Sequence, residues 1–140
     1  MRIMAIDYGD AHTGIAISDP TGFLTGFTTT ITAYRPEAAA EQIAALAREH
    51  GVEELVLGHP RNMDGTLGPR AEKAEALAAL LRETAGLPVA LWDERRTTID
   101  AHQILFHAGK NAKKRKKVVD AVAASLILEG YLTYKKANTE

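Results

Sequence analysis

Arg2-Ile3-Met4-Ala5-Ile6-Asp7-Tyr8-Gly9, with Gly14-Ile15-Ala16-Ile17-Ser18 close behind it, is the stretch that decides the fold. The apolar run ends on a carboxylate, and the residues after it are turn formers. Short apolar runs bounded by Gly, Asp and Pro read as strands. Residues 2–6 and 13–17 are therefore expected to be two strands joined through Gly9 and Asp10. A strand that ends in Asp7 and folds back through glycines holds that carboxylate rigidly beside a tight turn that phosphate can approach. Asp19-Pro20-Thr21-Gly22 is a second turn, and residues 23–32, rich in Thr, Phe and Ile, form a third strand. Together the three make an antiparallel meander.

Beyond residue 35 the period of the pattern changes. Residues 36–49 place Ala40, Ile43, Ala44, Leu46 and Ala47 at helical spacing and stop at Gly51. Residues 54–58 form a short apolar strand, and residues 59–69, with two prolines, Asn62, Asp64, Gly65 and Gly68, form a loop. A second helix is expected over 70–84, a fifth strand over 88–92, a short helix over 98–107, and a last helix over 117–134 after a basic segment. The fourth and fifth strands are continuously apolar, which calls for cover on both faces. The expected architecture is α/β: a mixed five-stranded sheet, three antiparallel strands plus two parallel ones, with helices on both sides. Ligands on such sheets gather at the carboxyl ends of the strands. Asp7 and Asp93-Glu94 both fall at expected carboxyl ends.

At 140 residues the chain is sized for one domain, expected to span 1–140. No run of about 18 apolar residues is present, so no membrane span is expected. The start lacks the layout of a signal peptide, and the expected location is the cytoplasm. With no cysteine, disulfides, zinc–thiolate sites and thiol catalysis are excluded. The net charge of −1 hides a local excess: Lys110-Asn111-Ala112-Lys113-Lys114-Arg115-Lys116-Lys117. Overall charge argues against a general polyanion binder, and this segment argues for a local one.

Three acidic positions carry the candidate chemistry. Asp7 alone would read equally well as a turn carboxylate bonded to backbone N–H groups. Adjacent residues at a strand end point to opposite faces, so one of Asp93 and Glu94 is expected to turn toward Asp7. The choice stays open, with the longer stem of Glu94 favouring it. Asp120 lies among Val118, Val119, Ala121, Val122, Ala123 and Ala124. In a helix's first turn an acid is merely favourable to the dipole, by roughly 0.3–1 kcal/mol. Among apolar neighbours it is costly unless a cation meets it. Three converging carboxylates repel each other, and divalent cations relieve that repulsion. Hard oxygen ligands suit Mg²⁺ or Mn²⁺. Two such ions, roughly 3.5–4 Å apart, activate a water and stabilise the leaving oxygen of a phosphodiester. The site expected is catalytic Asp7, Asp93 or Glu94, and Asp120, with Asp7, Glu94 and Asp120 as metal ligands.

The basic run reads as a solvated stretch on its own. Placed directly before the Asp120 helix, it favours phosphate contact through Lys110, Lys113, Lys114, Arg115, Lys116 and Lys117. Asn62 lies in a loop that could line the same cleft. His12 and His59 flank the site loops, His102 and His107 do not share a helix face, Trp92 reads as core, and Thr97-Thr98-Ile99-Asp100 reads as a helix cap.

These residues carry a family likeness. Ala5-Ile6-Asp7-Tyr8-Gly9, Gly14 to Pro20, Gly58-His59-Pro60-Arg61-Asn62-Met63-Asp64-Gly65-Thr66, Asp93-Glu94-Arg95-Arg96-Thr97-Thr98 and Val119 to Leu128 stand in family order over almost the whole chain. The chain resembles the YqgF/RuvX family of pre-16S rRNA nucleases, also described as Holliday-junction-resolvase-like proteins with an RNase H-like fold. The resemblance implies acids on the first strand, near the fifth strand and on the last helix, matching Asp7, Asp93 or Glu94, and Asp120. It implies maturation of the 5′ end of 16S rRNA as the role, on nucleic acid or the small-subunit precursor. Two departures stand out: Asp10-Ala11-His12 replaces the family's common basic pair after the first glycine, and His59 replaces a frequent leucine.

Within the nuclease reading, the alternative substrate is a four-way DNA junction, whose two symmetric cuts favour a homodimer over a monomer. Outside it stand a nucleotide-binding ATPase, because the Asp7-Gly9…Gly14 hairpin resembles a sugar-kinase phosphate loop, and a non-catalytic ribosome-assembly or nucleic-acid-binding factor. A single lobe argues against the ATPase.

Overall fold

The computed structural model describes residues 1–22, 24–59, 68–93 and 112–138, with 112–120 and 138 as backbone only. Its elements are β1 (Arg2–Asp7), β2 (His12–Ser18), β3 (Thr25–Thr32), α1 (Pro36–His50), β4 (Val52–His59), α2 (Pro69–Thr84), β5 (Val89–Asp93) and α3 (Ala112–Asn138). The five strands lie in the order β3-β2-β1-β4-β5. The β1/β2 and β2/β3 pairs are antiparallel, and β1/β4 and β4/β5 are parallel. The meander and the two parallel strands thus form the mixed sheet that the alternating period implied.

Strand alternation sorts the side chains into two cores. Met4, Ile6, Ile15, Ile17, Leu55 and Leu57 face α1 and α2, meeting Ile43, Ala47, Ala74, Leu77, Ala78 and Leu81. Ile3, Ala5, Ala16 and Val56 face α3, meeting Ala124, Ile127, Leu128, Tyr131 and Leu132. Ala5, Ala16 and Ala124 are each fully buried at this second interface, where short side chains let helix and sheet approach closely. Helix α1 opens with proline and ends at Gly51, whose φ of 67° and N–H bonds to the Ala47 and Arg48 carbonyls close the helix in a left-handed cap.

The largest difference from the sequence expectation lies in α3. It begins at Ala112 rather than at 117, so the cations Lys113 to Lys117 are helical. Alanine, lysine and arginine are strong helix formers, and no glycine or proline intervenes before Gly130. Asp120 is therefore in the third turn and not the first, and the first turn holds no acid. The dipole explanation for Asp120 falls away, because that interaction fades beyond the first turn. The helix expected over 98–107 lies outside the described residues, as does Phe23 at the start of the expected third strand.

The last helix is clamped to the sheet far from its basic end. Glu54 of β4 sits on the α3 face with its side chain 13% exposed, and Lys135 Nζ donates to its Oε1 at 2.7 Å. The Tyr131 hydroxyl donates to the other oxygen, Oε2. The Tyr131 ring meets Trp92 edge-on at 6.0 Å, and Trp92 meets Tyr134 at 5.8 Å.

Candidate functional site

Asp7 closes β1 and is half-exposed. It alternates with Ile3 and Ala5, so it belongs to the face that α3 covers. Its neighbours on that row are unusual. Gly14 of β2 stands directly opposite it. On the other side, the ladder pairs Ile6 with Leu57, and the next step brings Asp7 level with Gly58. Cross-strand neighbours share a face at about 4.5–5.5 Å, so a side chain at either position would stand against the carboxylate. Both positions are glycine. The row ends in Thr30 on β3, opposite Gly14, and Trp92 on β5, opposite Gly58.

The turn after Asp7 is fixed by a close approach. A Cβ on Gly9 would lie 2.3 Å from the His12 carbonyl oxygen, so this position admits only glycine. The other end of the hairpin is clasped by the Ala33 N–H, which donates to the Ala11 carbonyl at 2.9 Å. Tyr8 falls on the opposite face, packed against the α1/α2 core. Burial pushes its phenol up, Lys73 opposes that shift, and Asp10 and Glu37 add to it. Lys73 Nζ approaches Asp10 Oδ1 at 3.4 Å in solvent.

Asp93 is placed differently from Asp7. On β5, Val89 belongs to the α1/α2 core, whereas Ala90 and Trp92 pack on the α3 side. The same alternation puts Asp93 on the α2 face, paired across the ladder with His59. His59 is 3% exposed, and its Nε2 lies 3.2 Å from Glu75 Oε1 of α2. The ladder thus assigns Asp7 and Asp93 to opposite faces. Glu94, Asn62 and Lys110 lie outside the described residues. Asp120 lies in α3, one turn before Ala124. Lys113 to Lys117 occupy the opening turns of the same helix.

As a cation site, the described part supplies one hard oxygen donor at this strand end, Asp7, opposite Gly14. Oxygen donors without sulfur fit Mg²⁺ or Mn²⁺. Among the described residues no three His, Asp or Glu side chains gather into a metal-binding group.

Several partners were not legible in the sequence. Glu75 has no motif around it, and only the packing of α2 on β4 brings it to His59. Thr32 is one of five threonines between 25 and 32. The β2/β3 register sets it opposite His12, with Oγ1 3.3 Å from His12 Nδ1. Trp92 is half-buried as core, as expected, yet its indole Nε1 is buried without a hydrogen-bond partner among the described residues.

The comparisons with known proteins agree with this geometry. The family model RuvX, described as Holliday junction resolvase, matches residues 1–134. A relative from Halothermothrix orenii, named "Putative pre-16S rRNA nuclease", is 47% identical over 135 residues and covers 96% of each chain. One of the same name from Geobacillus thermodenitrificans is 44% identical over 138 residues, covering 97% of this chain and all of its own. Among solved structures, Thermus thermophilus RuvC in complex with a Holliday junction substrate superposes with a TM-score of 0.64 at 12% identity, covering 99% of this chain and 97% of that one. Fowlpox virus resolvase with Holliday junction DNA gives 0.56 at 10% identity over the full length of both. At such identities the structural likeness speaks for the fold: the RuvC-like, RNase H-like sheet. No helix among the described residues is long and apolar enough to cross a membrane.

Proposed function

Starting from a chain that belongs to the RuvX family, we propose that it is a divalent-metal-dependent endonuclease acting on structured RNA in 5′-end processing of pre-16S rRNA. The whole chain, 1–140, acts as one nuclease domain. The observation that carries this reading is the position of Asp7: a carboxylate at a strand's carboxyl end, flanked by Gly14 and Gly58, on the face that α3 covers. The names of relatives at 43–47% identity support RNA as the substrate. The RuvC-like neighbours keep the four-way DNA junction as the substrate to test against it.

In this reading Asp7, Glu94 and Asp120 hold Mg²⁺ or Mn²⁺. Glu94 is preferred over Asp93 because strand alternation gives Asp93 to the α2 face. The β1 and β5 rows are two strand spacings apart, about 10 Å, a gap that the longer glutamate stem narrows. Asp120 comes from α3, one turn before Ala124. When bound, the ions supply an activated water and neutralise charge on the leaving oxygen. The protein's own part is to orient oxygen donors, with glycine rather than a bulky side chain at Gly14 opposite Asp7.

Lys110, Lys113, Lys114, Arg115, Lys116, Lys117 and Asn62 bind the phosphate backbone. Five consecutive cations in the opening turns of a helix oppose its dipole, and a polyanion at that end relieves the conflict. The protein works in the cytoplasm, on free precursor or on the small-subunit particle, as a monomer or homodimer.

The test is cleavage of a pre-16S 5′-end RNA and a synthetic four-way DNA junction, side by side, with Mg²⁺, Mn²⁺ or chelator. Asp7→Asn should lower metal-dependent cutting about a hundredfold or more, the equivalent of losing several kcal/mol of charge stabilisation. Cutting that survives chelator, or is equal in Asp7→Asn, would sink the metal mechanism. RNA binding without any cutting would point to an assembly factor, and preference for the junction would point to a resolvase.

A further inference from the structure

A carboxylate–metal site does not distinguish RNA from DNA; that takes a contact to the ribose 2′-hydroxyl. We propose that His12 and Thr32, hydrogen-bonded to each other on the Asp7 face of the sheet, form that contact and select ribose. The inference rests on the nucleic-acid reading above but not on catalysis.

The placement comes first. His12 alternates with Gly14, and Gly14 is opposite Asp7, so His12 and its partner Thr32 share the face of Asp7. Two residues along β2 and one strand across put His12 about 8 Å from Asp7, and Thr32, one strand further on, about 12 Å from it, a neighbouring nucleotide's position for a phosphate held there. His12 is half-buried and Thr32 exposed, so substrate can reach both.

The pair is also preorganised. Its hairpin end is closed by the Ala33–Ala11 backbone bond, and Gln42 Nε2 of α1 donates to the Thr32 carbonyl at 3.0 Å. The strand end therefore does not have to be ordered on binding.

The chemistry matches a hydroxyl. With Nδ1 and Oγ1 at 3.3 Å, either the threonine O–H donates to the ring or the ring N–H donates to the threonine. In the first case a threonine lone pair and the Nε2–H remain. In the second the threonine O–H and the Nε2 lone pair remain. Either way one donor and one acceptor are left, the complement of a 2′-hydroxyl, which is both. A phosphate, which only accepts hydrogen bonds, would use the donor of this pair and leave its acceptor unmatched.

The experiment measures binding by fluorescence anisotropy in the Asp7→Asn background, using the pre-16S 5′-end RNA and its all-deoxy version. The parent should prefer the ribose form about three- to tenfold, the range of one or two neutral hydrogen bonds. Thr32→Val and His12→Phe should each cut that preference toward unity with the affinity for the deoxy form unchanged, and Thr32→Ser should keep it. A scan of single 2′-deoxy substitutions should locate the effect at one nucleotide in the parent and at none in Thr32→Val. Ribose preference unaltered in both variants, equal weakening of both substrates, or no preference in the parent would overturn the assignment. Because binding alone is read, loss of this result and failure of the nuclease reading are separate outcomes.

Discussion

Removing the Tyr131 hydroxyl should loosen the last helix by a definable amount. Glu54 is a carboxylate with only 13% of its side chain exposed, held by Lys135 at 2.7 Å and by the Tyr131 hydroxyl. In Tyr131→Phe the ring still packs edge-on against Trp92 at 6.0 Å, so the loss is confined to one hydrogen bond to an ionised acceptor. Such bonds contribute about 1.5–3 kcal/mol, which for a chain of this size lowers Tm by about 6 °C. Lys135→Met keeps the apolar stem but leaves a buried charge with one neutral donor. Breaking a buried pair costs about 3–5 kcal/mol, and the low end applies because the Lys135 side chain is itself 29% exposed. The triple variant Glu54→Leu/Tyr131→Phe/Lys135→Met removes the carboxylate together with both donors and should return close to parental stability. Urea unfolding followed by circular dichroism measures all three. A Tyr131→Phe loss below about 0.5 kcal/mol, against the range for bonds to charged groups, would refute the reasoning.

Other outcomes follow from single observations. Tyr131 has its phenol raised, first by burial and then by its bond to Glu54 and that residue's charge. The fold thus holds the protonated form, and the associated stability is complete below about pH 10 and falls as pH rises past the unfolded value; the parent should lose stability in that window more steeply than Tyr131→Phe. Thr13 is fully buried and its hydroxyl has no hydrogen-bond partner among the described residues, so Thr13→Val should stabilise by about 1 kcal/mol in urea titrations, whereas a loss would reveal a bond to that hydroxyl. Gly9→Ala would place a Cβ 2.3 Å from the His12 carbonyl oxygen; it should move the turn behind Asp7 and lower both Tm and nuclease activity. Gly51→Ala, at φ 67° with open space around it, should cost about 1 kcal/mol of stability and leave cleavage unchanged.

The sheet was legible because its signals are local. The run ending at Asp7, the turn at Gly9 and the return through Gly14 specify a hairpin, and the shift to helical spacing at residue 36 specifies the βα units. The start of α3 was misjudged because a run of cations resembles a solvated segment. The same residues are good helix formers, and no breaker separates them from the apolar part. Contacts set by register or by helix packing left no local trace: His12 with Thr32, His59 with Glu75, Glu54 with Tyr131 and Lys135. The face that Asp93 takes is of this kind. Alternation was evident in the sequence, but its phase became readable only when Val89 was found against α2 and Trp92 against α3.

That phase gives the most direct test of the central claim. Mn²⁺ binding, followed by electron paramagnetic resonance, should be compared in the parent, Asp7→Asn, Asp93→Asn and Glu94→Gln, with pre-16S 5′-end RNA cleavage measured on the same samples. The account expects Asp7→Asn and Glu94→Gln to weaken Mn²⁺ and suppress cutting together, while Asp93→Asn keeps both. Mn²⁺ affinity and cutting lost in Asp93→Asn but retained in Glu94→Gln would contradict it.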